Sequence, residues 1–125
     1  MNLPMSLRTA GCEMNYQHAK DEGLTQPLEL TDALKIFKHW RIIENDFCYC
    51  VGYERSHMLI IKRGGCADYF DLNADEKAEF DQLKRDHIYD NYDQIIENCP
   101  HRRSVPRIFH YHLINFYKTR GEMKL

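Results

Sequence analysis

No apolar run in this 125-residue chain approaches the length of a membrane-spanning helix. That excludes a membrane-spanning helix as the organising element. Positive charge is not in surplus either. The formal net charge is -2 with histidine neutral, so no global basic field argues for nucleic acid. The five cysteines (Cys12, Cys48, Cys50, Cys66 and Cys99) make an odd count without the spacing of a disulfide scaffold. Met1 to Thr9 lacks the basic flank and apolar run of a signal peptide. Reduced thiols and a cytoplasmic location are therefore expected. There is no internal repeat, low-complexity segment, zinc-finger spacing, helix-turn-helix pattern or P-loop.

What remains is a globular profile, 43% hydrophobic and 29% charged. The length fits one domain with a core that needs no covalent staples. Residues 1–30 carry Gly11, Gly23, Pro4 and Pro27 and no sustained periodicity, so they read as an extension to a domain at 31–125.

Thr31 and Asp32 can cap a helix, and Leu34 and Phe37 fall at i, i+3. The pattern predicts a short helix before Trp40. Strands are expected at Trp40–Ile43 and Phe47–Gly52, with a turn at Glu44–Asp46 between them. Tyr53–Ser56 reads as a polar loop, and His57–Arg63 as a third, nearly continuous apolar strand ended by Gly64-Gly65. Asn73 followed by Glu76 three residues later has the form of a capping box. A long helix is expected from there to about Glu97, with a bend near Asp90-Asn91, where helix propensity falls. A last strand is expected at about Arg107–Tyr117. The fold class is therefore α+β, with a mostly antiparallel sheet of about five strands, a long helix and a shorter N-terminal helix.

The last strand carries the chemistry. Alternation places His110 and His112 on one face, with Ile108 and Ile114, and sends Phe109, Tyr111 and Leu113 to the other. Two rises of about 3.3 Å separate the imidazoles by roughly 7 Å. That suits a nucleophile with a helper, or two metal ligands. The competing reading is two partly buried histidines in an aromatic strand.

Three segments resemble the histidine-triad (HIT) superfamily of nucleotide hydrolases and transferases. His57-Met58-Leu59-Ile60-Ile61-Lys62-Arg63 resembles its H-x-L-V-I-P-K strand. Asp71-Leu72-Asn73-Ala74-Asp75-Glu76 resembles its helix start. Ser104-Val105 and His110-Tyr111-His112-Leu113-Ile114 resemble its S-V and the latter part of its histidine run. Trp40 to Cys50 is similar to the first two strands of some variants. The resemblance covers about residues 31–117. It implies attack by a histidine on the α-phosphorus of a nucleotide conjugate and a nucleotidyl-histidine intermediate. No cofactor is implied, and a homodimer is.

The resemblance assigns His110 as the nucleophile, His112 as a helper on phosphate oxygens and Ser104 as a phosphate contact. Arg103 and Arg107 could add charge-assisted bonds to phosphate. His57 either lines the site or only closes its strand's turn. The chain departs from the family pattern in four places. Ile108 stands at the first triad histidine, the spacing from Ser104 is one residue longer, Cys50 stands where some variants carry an acid, and Gly64 stands where some members have a histidine. Two functions therefore stand side by side: a nucleotide hydrolase or nucleotidyltransferase, and an eroded HIT-like domain that binds a nucleotide or a protein partner. A zinc site from His110, His112, Cys48 and Cys50 is a third option; ordinary reduced cysteines are its bland alternative. The cluster His101-Arg102-Arg103 with Arg107 reads equally as surface charge or as a phosphate rim.

Overall fold

The computed structural model describes residues 32–45, 53–103 and 105–116, with only the backbone described for 53–55. The described residues hold five strands: β1 (Ala33–Ile36), β2 (Trp40–Glu44), β3 (Tyr53–Ile61), β4 (Gln94–Ile96) and β5 (His110–Phe116). They form one sheet in the order β1-β2-β3-β5-β4, and every neighbouring pair is antiparallel. Between β3 and β4 runs helix α1 (Ala74–Leu83). It continues as a π-helical turn at Lys84–Ile88 and a last helical turn at Tyr89–Asn91. The chain is α+β, an antiparallel five-stranded sheet with one main helix among the described residues.

Register sorts the side chains into two faces. Ile42, Leu59, Tyr111 and Leu113 fall on the helix-covered face, where they pack with Trp40, Leu83, Ile88 and Phe109. Phe80 of α1 stacks on Tyr111 with ring centroids 4.4 Å apart. The indole of Trp40 donates to the Glu76 carbonyl at 2.9 Å, so this large side chain is buried without an orphaned N–H. The opposite face carries Ile43, Met58, Ile60, His110, His112 and Ile114, all buried.

The helix starts where the sequence places its cap. Glu76 N–H donates to Asn73 Oδ1 at 2.9 Å, and Asn73 N–H donates to Glu76 Oε1 at 2.8 Å. Glu76 is only 1% exposed. Arg63 meets its carboxylate with two bonds of 3.0 Å each, and also donates to the Asp71 carbonyl at 2.6 Å. The Arg63 bond holds the Glu76 carboxyl below its usual range, against the opposing effect of burial. One side chain thus caps α1 and ties it to the end of β3.

Four expectations are corrected. The segment before Trp40 is strand β1 rather than a short helix, and Leu34 is exposed rather than inward. A few residues bounded by a tight turn cannot repay helix nucleation. Phe37 N–H closes that turn on the Trp40 carbonyl at 2.8 Å, and the ladder to β2 takes the rest. Tyr53–Ser56 is not a loop but the first part of β3, because β5 is long enough to pair with it as far as Phe116. The helix ends at Asn91 rather than near Glu97. The Asn91 amide donates to the His87 carbonyl at 2.7 Å, and Tyr92 is extended. Gln94–Ile96 then pairs with β5 as an edge strand that the sequence pattern does not announce. The expected strand at Phe47–Gly52 and the extension at 1–30 lie outside the described residues.

Candidate functional site

β5 places His110 and His112 on one face, opposite Ile60 and Met58 of β3. Their ring centroids are 5.2 Å apart, closer than the roughly 7 Å that two strand rises give, because the rings lean together edge to face. Both are enclosed, with 6% and 3% of their surfaces exposed. His110 Nδ1 lies 2.9 Å from the Ile108 carbonyl. A carbonyl only accepts, so Nδ1 carries the hydrogen and Nε2 carries the lone pair. Burial pushes the His110 pKa down and the positive charge of Arg103 adds to this, while the bond to Ile108 opposes both. At neutral pH His110 is therefore an uncharged imidazole with a fixed tautomer. The Asn98 amide sits 3.5 Å from His112 Nε2, at the outer limit of a hydrogen bond.

Ile108 stands just before β5. Its side chain packs against both apolar clusters while its carbonyl orients His110. It serves the site through its backbone, since its side chain has no polar atom to offer.

The other sequence candidates fall in different places. Arg103 is spent on the protein. Its Nε donates to the Asn98 carbonyl at 2.9 Å and its Nη1 to the Ala67 carbonyl at 3.1 Å. It also pairs with Asp68 at 3.3 Å and lies over the Phe109 ring. It clamps the approach to β5 onto the loop after β3. Arg107 is exposed in the turn before β5. Ser104 lies outside the described residues. His57 belongs to the helix-covered face, since its register partner is Leu113 rather than either histidine. The structure brings His110 and His112 together and leaves His57 across the sheet.

Cys48 and Cys50, half of the zinc alternative, lie outside the described residues. Among the described residues no group of three or more His, Cys, Asp or Glu is arranged to hold a metal. Burial pushes the Cys66 thiol pKa up, which disfavours the reactive thiolate. No helix among the described residues is long and apolar enough to cross a membrane.

Sequence reasoning missed Asn98 beside His112 and the pairing of His57 with Glu44 and Tyr92. No local signal could have found either. Asn98 sits in an irregular link, and the sequence pattern extends the helix past Tyr92. No family model matches the chain, and no curated protein sequence matches it.

Proposed function

We propose that the protein is a nucleotide hydrolase or nucleotidyltransferase that acts at the α-phosphate of a nucleotide conjugate through His110. The observation that carries this reading is the Nδ1 contact to the Ile108 carbonyl, 2.9 Å, which leaves Nε2 as the lone-pair nitrogen. A neutral imidazole with its second nitrogen held is a competent nucleophile near pH 7.

In the proposed step His110 Nε2 attacks phosphorus. A P–N bond forms as the bond to the leaving group breaks, and the leaving group takes a proton from solvent. Water then attacks the nucleotidyl-histidine and a P–O bond replaces the P–N bond; the water's proton returns to solvent and His110 leaves as the neutral imidazole. His112 takes the role of helper on a nonbridging oxygen; its ring lies edge to face with His110, 5.2 Å away, which supports this. Arg107, exposed at the entry to β5, adds positive charge for phosphate. The resemblance of β3, the α1 start and β5 to the HIT superfamily supports the same chemistry.

The enclosure of both rings favours a second reading, a HIT-like domain that binds a nucleotide or a protein partner without turnover. Incubation with adenosine 5′-phosphoramidate and with a dinucleoside polyphosphate separates the two. AMP release with an acid-labile adduct on His110, both lost in His110→Ala, is expected. Turnover that survives His110→Ala would sink the assignment. Nucleotide binding with no adduct would favour the second reading.

A further inference from the structure

His57 is the sequence candidate that the histidine pair leaves unused, and it has acquired two partners. Its Nε2 lies 3.3 Å from Glu44 Oε2, and its Nδ1 lies 2.6 Å from the Tyr92 hydroxyl. Glu44 and His57 are register partners on adjacent strands, so the sheet fixes their approach. Tyr92 comes from the end of the helical segment. The π-helical turn at Lys84–Ile88 spends one more residue per turn than an α-helix and so rotates the next residues by about 100°. Tyr92 N–H then closes on the Ile88 carbonyl at 2.9 Å, and the Tyr92 ring meets His57 edge to face at 5.6 Å.

The order of donors is set by the chemistry of the three groups. A carboxylate only accepts, so the 3.3 Å approach of Glu44 favours the tautomer with the hydrogen on Nε2. Nδ1 is then the lone-pair nitrogen and accepts from the Tyr92 hydroxyl. This sets a nucleophile hydrogen-bonded to a base, with a carboxylate at ion-pair distance from the base's second nitrogen. Glu44 is half exposed and Tyr92 is partly buried, so the array sits at the surface end of the helix-covered face.

We propose that Glu44, His57 and Tyr92 form a second chemical site, in which Tyr92 is a base-activated nucleophile toward activated acyl esters. In the step, Tyr92 Oη attacks the carbonyl carbon and its proton passes to His57 Nδ1. The ester C–O bond breaks, and the departing alcohol takes that proton. The products are O-acyl-Tyr92 and the free alcohol, with no change of oxidation state. Glu44 holds the imidazolium that exists between the two transfers.

The test uses the full chain with 4-nitrophenyl acetate and locates acetyl groups by peptide mass spectrometry. Tyr89, exposed and only three residues away, is the internal reference. Tyr92 is expected to be acetylated at least tenfold faster than Tyr89. His57→Gln is expected to bring Tyr92 down to the rate of Tyr89, and Glu44→Gln to slow it severalfold. A clamp with a purely structural role would not accelerate Tyr92. Labelling of Tyr92 no faster than Tyr89 in the unmodified chain overturns the proposal without any variant having to fold. Equal Tyr92 rates in the wild type and Glu44→Gln would remove the carboxylate from it.

Discussion

The two faces of the sheet are equally buried and differently made. The helix-covered face is aromatic and apolar: Trp40, Leu59, Phe109, Tyr111 and Leu113 meet Phe80, Leu83 and Ile88. The opposite face mixes Ile43, Met58 and Ile60 with Ser56, His110 and His112. β5 supplies both faces by simple alternation. Its odd residues go to the core, and its even histidines go to the candidate site. The strand's fixing in the core is therefore what makes the imidazoles rigid, so folding and chemistry share a backbone without sharing side chains.

That division makes neighbouring positions behave differently. Phe109→Ala, which opens a cavity beside Trp40 and Tyr111, is expected to cost about 4 kcal/mol in urea unfolding. His110→Gln, one residue on, is expected to cost about 1 kcal/mol, the scale of one hydrogen bond. It should nevertheless abolish any adduct. Equal stability losses at the two positions would erase the distinction between the faces.

The next largest effect belongs to the helix side. Glu76→Ala removes the carboxylate that Arg63 and the Asn73 amide share, and the lost cap and charge-assisted bonds are expected to cost about 2 kcal/mol. The same carboxyl gives an acid-side signature. Its folded-state pKa lies below its unfolded value, so its contribution is intact above about pH 4.5 and is lost as pH falls further. Glu76→Ala should flatten that limb of the stability curve, read by thermal melts between pH 5 and about pH 3. A smaller change is expected at the helix end. Asn91→Ala frees the His87 carbonyl and should cost about 1 kcal/mol, with α1 itself retained by circular dichroism.

These sites also mark how far the sequence could be read. The Asn73 cap and the alternation of β5 are local patterns, and both are present in the structure. Phe109, Tyr111 and Leu113 are core residues as alternation requires. β1 was missed because a four-residue strand is decided by its partner β2, while its own residues offer a helix cap. β4 was missed because the π-helical turn and the Asn91 contact end the helix without a glycine or proline to announce it. Within the site, the shared face of His110 and His112 was legible. Their 5.2 Å ring separation, shorter than the roughly 7 Å of two strand rises, was not, because the side chains lean together. Nor was the His110 tautomer, which depends on where the Ile108 carbonyl points. Arg103 read as a phosphate ligand because its sequence neighbours are basic. Its partners Ala67 and Asp68 are remote in sequence, so its use as a clamp could not be seen there.

The smallest expected signal tests both faces at once. His110 on one face and His87 on the other both have pKa values pushed down by burial, with Arg103 adding to the first and Lys35 to the second. A histidine whose folded-state pKa is depressed costs nothing while both states are neutral, above about pH 6.5. Below that value the unfolded chain takes up the proton first, so stability drains as pH falls. Each group can contribute at most about 1.4 kcal/mol per pH unit. Thermal melts from pH 7.5 to about pH 5 should therefore show a decline in the wild type that His110→Gln and His87→Gln each reduce in part. Because the two rings lie on opposite faces of the sheet, their shares should add in the double variant. A double variant no flatter than either single one would mean that the two faces do not respond independently.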